Sequence, residues 1–502
     1  MQKTIRRILT LIPAVILQIF WIFILIKWLA PWATFISVLL SVASLIFVLF
    51  IYTDREETTY KLLWIIIILS FPIAGAVLYI LARPARIGRP IERSLEKVSL
   101  DISPDLEAKW ELEEDDLRLF QTMNRLEEQT GCPITFNEKS QYFSVGEEMF
   151  SSLILDLSKA KNSIFMEYFI IKDGYMWQEI KQILQDKAGQ GLDVRVIYDD
   201  FGSFSTFSNE DLEELRRTGI KMLPFNRLLF LKGTLNYRDH RKIAVIDSKV
   251  AYSGGINISD EYINEDIRFG HWKDIGFRIE GPGAKNYNSM FLQFWNAFSE
   301  DRDQDIKTKL NGEGIKPDYR DGWILSYYDS PVKKADVSND LYIELLALAK
   351  EHVFFYTPYL MLGDAFYDSV IRAAERGVDV RIMMPGKPDK DFIFRMSRSF
   401  YPTLLEAGVK IYEYEPGFLH AKACSVDGRI AAIGTVNLDY RSLFLHFENN
   451  SIFYKSKIIE ELEQDMLETQ VKSREIILGQ DIKPTFFRWL YDGILRLLAP
   501  LC

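Results

Sequence analysis

Two segments of this sequence carry the same reactive residue types at the same spacing. One runs from residue 240 to 257 and the other from 420 to 437, and they align without a gap. The aligned pairs are His240 with His420, Lys242 with Lys422, Asp247 with Asp427, Gly254 with Gly434, and Asn257 with Asn437. Among five histidines, two His-x-Lys-x4-Asp patterns arise by chance roughly once in ten thousand sequences. Unrelated core histidines do not account for the repeated lysine, so we interpret the segments as a duplicated functional motif.

These residue types suit the chemistry of a phosphodiester. Residues two apart on a strand project from one face, so each segment presents one imidazole and one ammonium to a cleft. The two lysines and the amides of Asn257 and Asn437 can contact phosphate oxygens, as a metal ion does in other phosphoryl-transfer sites. One neutral histidine can attack phosphorus while the other protonates the leaving alkoxide. The motif therefore predicts phosphoryl transfer through a phosphohistidine.

The composition narrows the partners and cofactors. No cluster of zinc or calcium ligands appears in the sequence, so we expect no metal and no other cofactor. Three widely spaced cysteines fit neither a disulfide framework nor a zinc pattern. The 60 Lys and Arg residues are outnumbered by 70 Asp and Glu residues, which does not favour a nucleic-acid partner. The sequence specifies no oligomeric state.

The part of the chain after residue 93 has the pattern of an α/β fold. Short β-branched runs alternate there with amphipathic stretches. The run "GLDVRVI" at residues 191–197 matches "GVDVRIM" at residues 377–383, and each follows a helix-like stretch. We therefore predict two α/β repeats, each of which carries one copy of the motif.

The first ninety residues are predominantly apolar. Three segments, at about residues 8–27, 32–52 and 62–82, carry almost no charge and are each near the ~20 residues that span a bilayer. One apolar run follows another, so we expect a retained multi-pass anchor in the cell membrane rather than a cleaved signal peptide. Basic residues flank both ends, and the larger group, at residues 83–93, favours a cytoplasmic catalytic part.

The motifs resemble those of the phospholipase D superfamily, and the chain as a whole resembles bacterial cardiolipin synthases. The stretches that carry this resemblance are "HRKIAVID", "SGGINISDEY", "HWKDIGFRIEGP", "HAKACSVD", "GTVNLDYRSLFLHFENN" and the tail "LLAPLC". The resemblance implies two repeats related by a pseudo-twofold axis, with the active site at their interface. The sequence departs from the family in two places: it shows three apparent spans where two are expected, and it has Thr435 where the first repeat has Gly255.

The resemblance also implies roles for individual residues. His240 is expected to be the nucleophile and His420 the general acid and base. Each histidine is expected to be oriented through one ring nitrogen by a carboxylate downstream of it, and by motif these carboxylates are Asp274 in "HWKD" and Glu448 in "FENN". Asp247 and Asp427 belong to the motif, and their five-residue offset from lysine favours a structural or lysine-orienting role.

The predicted organisation has three parts. Residues 1–95 form a transmembrane anchor, residues 96–315 the first phospholipase D-like repeat, and residues 316–502 the second repeat with a C-terminal tail. Apolar residues of that tail recur at helical spacing: Phe487, Leu490, Ile494, Leu497 and Leu498. The tail is predicted either to lie on a membrane surface or to pack on the catalytic part.

The predicted reaction converts two phosphatidylglycerol molecules to cardiolipin and glycerol. The alternatives are a phospholipase D or nuclease that uses water, a phosphatidylserine synthase, and a non-catalytic membrane scaffold. No histidine or lysine of the motif is lost, which disfavours the scaffold. The anchor favours transfer between lipids over hydrolysis, because it holds the cleft where a second lipid hydroxyl is concentrated.

Overall fold

The structure is a computed structural model. It describes residue 13 and residues 15–24, 32–54, 57–82, 85–98, 117–136, 139–227, 236–303, 321–332, 336–483 and 485–501. They form two compact units, which are Met1–Ile87 with Gly493–Cys502, and Gly88–Asp492. Both copies of the motif lie in the second unit.

One helix of the N-terminal unit is long and apolar enough to cross a membrane. This helix, α1, spans Ala33–Tyr52, and its segment Thr34–Tyr52 has 19 residues with little of its surface buried in the protein. Large apolar side chains are exposed along one side of it, as expected where the neighbours are lipid chains, whereas Ile51 is buried against Trp64 and Tyr79. The predicted span at residues 32–52 is confirmed as a helix of spanning length, and the chain associates with a membrane.

The predicted span at residues 62–82 is wrong, because this segment folds as two short helices. Helix α2 covers Thr58–Ser70 and helix α3 covers Pro72–Ala82. At 1.5 Å per residue they are about 20 and 17 Å long, which is less than the ~30 Å of a bilayer core. Proline at the first position of α3 ends the preceding helix, since it restricts the residue before it.

The two short helices form a hairpin. The rings of Trp64 and Tyr79 lie 5.4 Å apart, whereas one straight helix would separate their Cα atoms by about 22 Å. A Cβ atom at Gly75 would lie 2.8 Å from the Cα of Ile68, so only glycine permits this close return. The chain therefore turns back at Phe71, and residues 58–82 do not form one helix of spanning length.

The predicted span at residues 8–27 falls largely outside the described residues. Within it, residue 13 and the shorter apolar segment Val15–Ile24 are helical. Among the described residues only α1 reaches spanning length, so the prediction of a three-span, multi-pass anchor is not supported.

The first repeat begins after helices α4 (Ala85–Glu96) and α5 (Leu117–Thr130). Its strands, preceded by β1 (Thr135–Phe136), are β2 (Lys139–Phe143), β3 (Ser163–Tyr168), β4 (Asp193–Asp199), β5 (Lys221–Phe225), β6 (Ile243–Ile246), β7 (Val250–Gly254), β8 (His271–Lys273) and β9 (Gly276–Glu280). Its helices are α6 (Gly146–Lys159), α7 (Tyr175–Gly189), α8 (Asp200–Ser203), α9 (Asn209–Arg217) and α10 (Pro282–Phe298). Seven strands form one mixed sheet in the order β2-β9-β7-β6-β3-β4-β5.

The second repeat follows the same plan. Its strands are β10 (Trp323–Asp329), β11 (His352–Tyr356), β12 (Asp379–Pro385), β13 (Lys410–Tyr414), β14 (Gly417–Leu419), β15 (Ala423–Val426), β16 (Ile430–Gly434), β17 (Glu448–Tyr454) and β18 (Ser473–Glu475). Its helices are α11 (Val337–Leu348), α12 (Asp364–Glu375), α13 (Asp391–Arg398), α14 (Tyr401–Glu406) and α15 (Lys457–Val471). The nine-stranded sheet has the order β1-β10-β17-β16-β15-β11-β12-β13-β18.

The two sheets match strand for strand once the edge strands β1 and β18 are set aside. In both, the three-strand run β3-β4-β5 or β11-β12-β13 is parallel and the remaining pairs are antiparallel. The prediction of an α/β fold with two equivalent repeats is confirmed.

Alternating side chains build the core on both faces of the first sheet. Ile164 and Met166 of β3 join an apolar cluster with α6 and α7. Phe165, which faces the other way, stacks on Phe291 of α10 with 4.9 Å between ring centroids. Helix α10 is buried along most of its length and contacts strands of both sheets, so it joins the two repeats.

Two short strand pairings cross between the repeats and position the motif. Strand β8 of the first repeat pairs in parallel with β14 of the second. At the equivalent place, Asp239 of the first repeat forms a parallel bridge with Phe447 of the second. Each motif histidine directly follows one of these pairings, so the fold holds both histidines at the boundary between the repeats.

Parts of the predicted domain boundaries can be compared with the fold. The boundary at residue 315 lies outside the described residues, and β1 at Thr135–Phe136 pairs with β10 in the second sheet. The final segment, Gly493–Cys502, groups with the N-terminal unit and not with the second repeat. The domain limits therefore stay a prediction.

The tail forms helix α16 (Phe486–Leu498), as its apolar spacing predicts. Five large apolar residues on this helix are exposed: Phe486, Phe487, Trp489, Leu490 and Ile494. An amphipathic helix is thus present, and its predicted position at a membrane surface stays a prediction.

Candidate active site

His240 and His420 lie on extended segments directly before β6 and β15. Both are about nine-tenths buried, with 9% and 7% of their surface exposed. The prediction placed each histidine and lysine on a strand, but the strand ladders begin only at Ile243 and Ala423. The lysine nevertheless folds back beside its histidine, and Lys242 Nζ donates to the His240 carbonyl at 2.6 Å. Lys422 donates to the His420 carbonyl in the same way.

Each histidine is paired with a carboxylate of the other repeat. His240 Nδ1 lies 2.9 Å from both carboxylate oxygens of Glu448, which begins β17. His420 Nδ1 lies 2.6 Å from Oδ2 of Asp274, which follows β8. The structure thus brings together all four residues, and the pairing is reciprocal across the boundary. The carboxylate of His420 lies upstream of it, so the expectation that each histidine uses a downstream carboxylate is wrong for His420.

This pairing defines what each imidazole can do. When Nδ1–H donates to a carboxylate, Nε2 keeps its lone pair and the ring orientation is held. The carboxylate also favours the cation that forms when Nε2 takes a proton or bonds to phosphorus. Both Nε2 atoms are therefore suited to nucleophilic attack or to proton transfer.

The difference between Gly255 and Thr435 has a structural cause. A Cβ atom at Gly255 would overlap the carboxylate of Asp274, so this position requires glycine. The Thr435 hydroxyl instead donates to Oε2 of Glu448. Thr435 thus helps to hold the longer carboxylate, which the sequence comparison of the two repeats did not reveal.

The two lysines are buried cations whose charge is weakened by their surroundings. Burial lowers the pKa of Lys242 to about 7, although Glu448 acts in the opposite direction. Burial likewise lowers the pKa of Lys422 to about 8. Because a bound anion favours the charged form, a phosphodiester between these lysines would restore their full charge. The pair is suited to neutralising phosphate oxygens.

The histidines are neutral before a phosphate binds. Burial lowers the pKa of His240 well below its ordinary value, and Lys242 and Lys422 lower it further. Burial and Lys422 lower the pKa of His420 to about 3, against the opposing effect of Asp274. Residues of both repeats therefore act on each imidazole, as expected for one shared site.

The two carboxylates differ in the direction in which their pKa is shifted. Burial would raise the pKa of Asp274, but Lys422 and His420 outweigh it and the pKa is lowered. Burial raises the pKa of Glu448 to about 8, although Lys242 and Thr435 act in the opposite direction. The lowered pKa of Asp274 favours its charged form beside His420, and that charge favours a protonated imidazole.

The two motif asparagines are not equivalent. Asn257 accepts from the Ile170 amide at 3.1 Å and donates to the Tyr262 hydroxyl at 2.7 Å. Asn437 is also buried, but its Oδ1 atom has no hydrogen-bond partner within the described chain. Asn437 thus retains bonding capacity for a ligand, whereas Asn257 mainly ties neighbouring segments together.

Asp247 and Asp427 lie outside the site, which corrects their inclusion among the candidate catalytic residues. Asp247 accepts from the amides of residues 161–163, before β3. Asp427 accepts from the amides of residues 350–352, before β11. Five residues along a strand is about 16 Å, so each aspartate reaches the far end of its strand and cannot orient the lysine.

The aromatic residues around the two histidines were not predicted from the sequence. The rings of Trp272, Tyr262 and Phe418 lie 5.2, 5.3 and 5.8 Å from that of His420. The ring of His446 lies 6.4 Å from that of His240. Trp272 and His446 each stand two residues before the orienting carboxylate, and period-2 alternation on a strand is the signal that could have found them.

Within the described chain, no group of three or more histidine, cysteine, aspartate or glutamate side chains could hold a metal ion. The lysines occupy the place where a phosphate-binding metal would be expected. The absence of a cofactor stays a prediction.

Known protein families match both halves of this architecture. The family described as "Cardiolipin synthase, PLD-like domain" matches residues 153–295 and 342–469. The family described as "Phospholipase_D-nuclease N-terminal" matches residues 39–84, which include α1 and the helical hairpin.

Several curated proteins are similar over nearly the whole chain. A cardiolipin synthase of Alkalihalophilus pseudofirmus is 33% identical over 485 residues, which cover 93% of each chain. A cardiolipin synthase of Geobacillus kaustophilus is 34% identical over 478 residues, again 93% of each chain. An uncharacterized protein of Streptococcus mutans is 38% identical over 459 residues, covering 90% of this chain and 99% of its own.

A solved structure shares the fold. The phosphatidylserine synthase of Haemophilus influenzae superposes with a TM-score of 0.57 at 16% identity, covering 74% of this chain and 99% of its own. At this identity the likeness concerns the fold alone.

Proposed function

Because this chain belongs to the family of phospholipase D-like cardiolipin synthases, it is a phosphatidyltransferase that makes cardiolipin, and we propose that it works through a phosphohistidine on His240. The substrates proposed are two phosphatidylglycerol molecules, and the products are cardiolipin and glycerol. The observation that carries the proposal is the reciprocal pairing of His240 with Glu448 and His420 with Asp274.

The first step transfers the phosphatidyl group to the protein. His240 Nε2 attacks phosphorus, the bond from phosphorus to the glycerol oxygen breaks, and His420 gives its Nε2 proton to that oxygen. The lowered pKa of His240 supports its role as the neutral nucleophile. The negative charge on Asp274, together with the bound phosphate, supports the protonated form of His420.

The second step is the first in reverse with another alcohol. The hydroxyl of a second phosphatidylglycerol gives its proton to His420 while its oxygen attacks phosphorus, and the phosphorus–nitrogen bond to His240 breaks. Lys242 and Lys422 contact the phosphate oxygens in both steps, because their ammonium groups lie beside the two histidines and can donate to an anion.

The membrane anchor supports a lipid hydroxyl over water as the acceptor. Helix α1 tethers the chain to the bilayer, so a second phosphatidylglycerol is present at high effective concentration. The basic group at residues 83–93 precedes the catalytic part, and because cytoplasmic segments are rich in Lys and Arg, we propose that the catalytic part is cytoplasmic.

The product ratio in phosphatidylglycerol bilayers tests this function. Purified protein in such vesicles should yield cardiolipin as the main product and phosphatidic acid as a minor one. Added glycerol should drive the reaction backwards, because the phosphodiesters broken and formed are alike. Phosphatidic acid in excess would indicate a hydrolase, and transfer only to added serine would indicate a phosphatidylserine synthase.

The orientation has its own test. Cysteines introduced on exposed positions of the catalytic unit should resist a membrane-impermeant maleimide in intact cells and react after permeabilisation. Labelling in intact cells would place the catalytic part outside. Cardiolipin synthesis would not be affected by that outcome.

A further inference from the structure

The alcohol that leaves and the alcohol that enters occupy the same side of the cleft. In an in-line displacement at phosphorus, the bond that breaks lies opposite the attacking atom. With His240 as the nucleophile, which rests on the proposed function, this side is that of His420. The residues around His420 therefore determine which alcohol the protein exchanges.

The wall around His420 is mostly aromatic. Trp272, Tyr262 and Phe418 surround its ring, and Tyr359 packs on Phe418 with 6.3 Å between ring centroids. Such surfaces accommodate the carbon chain of a small alcohol. They do not by themselves distinguish a polyol from a simple alkanol.

One carboxylate interrupts this aromatic wall. The Tyr359 hydroxyl donates to Oδ2 of Asp389 at 2.8 Å. Asp389 stands in the loop between β12 and α13, and 15% of its side chain is exposed. Oδ2 also lies 3.5 Å from Nζ of Lys390, whose side chain is exposed.

The electrostatic contacts of Asp389 place it at the His420 end of the cleft. It raises the pKa of Lys422, although burial outweighs it there, and it adds to the larger effect of burial in raising that of Tyr262. Lys422 Nζ lies 2.7 Å from His420 Nδ1, and Tyr262 packs on the His420 ring. Asp389 is thus held by Tyr359, whose ring packs on Phe418 next to the His420 ring.

A buried donor lies on the same side. The indole Nε1–H of Trp272 is buried and has no hydrogen-bond partner among the described residues. An unpaired buried donor is unfavourable, and pairing it with a ligand oxygen removes that cost. The His420 side therefore offers one acceptor, on Asp389, and one donor, on Trp272.

We propose that Asp389 and Trp272 form a subsite for the hydroxyl groups of the exchanged alcohol, glycerol in the free state or as a lipid headgroup. Asp389 Oδ1 accepts from a hydroxyl that does not react, and the Trp272 indole donates to a hydroxyl oxygen. A polyol supplies both partners at once, whereas an alkanol of the same length supplies neither. An alcohol that carries its own carboxylate would place like charge against Asp389.

A competition between two alcohols tests this subsite. Vesicles that contain cardiolipin are incubated with full-length protein and equal concentrations of glycerol and 1-propanol, and phosphatidylglycerol and phosphatidylpropanol are quantified. The wild type should favour glycerol. Asp389→Asn should reduce that preference about tenfold, because a site built to bind a hydroxyl rejects the analogue that lacks it.

Matched variants separate recognition from general damage. Asp391→Asn changes an exposed aspartate two residues away and should keep the wild-type preference. Tyr359→Phe removes the hydrogen bond that holds Asp389 and should reduce the preference for glycerol by a smaller factor. This variant tests the subsite if Asp389→Asn does not fold. In both Asp389→Asn and Tyr359→Phe, transfer to glycerol should fall more than transfer to 1-propanol.

The outcomes distinguish the subsite from the reaction itself. An unchanged product ratio in Asp389→Asn, or an equal fall of both products, would overturn the subsite. Failure of the wild type to transfer to either alcohol would overturn the proposed transferase and not the subsite in particular.

Discussion

The Nδ1 atom of His240 lies 2.9 Å from the carboxylate of Glu448, a residue 208 positions later in the chain and in the other repeat. Its counterpart, the pair of His420 and Asp274, crosses in the opposite direction. Among the described residues, neither repeat pairs its own motif histidine with a carboxylate of the same repeat. The site is therefore expected to act as one unit in which each half completes the other.

Replacement of either histidine should abolish transfer. His240→Ala removes the nucleophile and His420→Ala the acid, so each should lower kcat by about 10³-fold or more. The double variant should lie within about tenfold of the worse single variant, since residues that act together are not additive. Cardiolipin formation in phosphatidylglycerol vesicles is the measurement. Substantial turnover by either single variant would contradict a shared site.

The covalent intermediate should form on His240. A phosphatidyl ester of p-nitrophenol has a leaving group that needs no protonation, so His420→Ala should still release one equivalent of p-nitrophenol in a burst. The acid-labile phosphatidyl group should then accumulate, because His420 is missing as base for the second alcohol. Mass spectrometry should locate it on His240, and His240→Ala should show no burst. A label on His420 in the wild type would exchange the two roles.

Asp274 and the motif aspartates should respond differently to the same substitution. Asp274→Asn should lower kcat by about 10²-fold or more with little change in melting temperature, because it removes the charge that favours protonated His420. Asp247→Asn and Asp427→Asn weaken bonds to three backbone amides each, and should cost about 1 kcal/mol of folding free energy. Their kcat should stay within about twofold. Thermal unfolding and vesicle assays on the same preparations check both.

Activity should decline as the pH rises through the range of the buried lysines. Below a lysine's pKa its ammonium is charged and can bind phosphate, and above that pKa the charge is lost. With pKa values of about 7 for Lys242 and about 8 for Lys422, kcat/KM should fall between pH 7 and pH 8. Lys242→Arg should move this decline towards pH 8, where Lys422 loses its charge, because arginine stays charged.

His352 offers a matched control for the pH experiment. It is partly exposed, and its pKa is raised chiefly by the hydrogen bond to Glu463, well away from the cleft. His352→Gln should therefore leave the pH profile unchanged. A profile that is flat from pH 6 to 9 in the wild type would contradict the role of the lysines.

Local sequence patterns predicted the structure correctly where neighbouring residues determine it. The gapless alignment of residues 240–257 with 420–437 predicted two equivalent repeats, and the strand orders of the two sheets agree with it. The apolar run at residues 32–52 predicted the helix α1. Both depend on residue type and periodicity, which are properties of short segments.

Composition and motif spacing led to wrong predictions where the structure depends on a single turn or on the direction of a strand. Residues 62–82 are as apolar as a span, yet the turn at Phe71 and Pro72 and the close packing at Gly75 produce a hairpin. Asp247 and Asp427 belong to the motif by spacing, yet the length of β6 and β15 carries them to the far end of the sheets. Hydropathy does not show where the chain reverses its direction. The spacing of a motif does not show how far apart in space its residues lie along a strand.

The sequence by itself determined the reactive groups, namely two histidines and two lysines in equivalent repeats, together with the carboxylates expected to orient the histidines. Only the tertiary structure decided that Glu448 serves His240 and Asp274 serves His420, and that Asp389 lies near the second histidine. The reason is physical: residue types and spacing are local, whereas the pairings join atoms about 3 Å apart whose residues are 146 and 208 positions apart in the chain. Such contacts exist only after the two sheets have packed against each other.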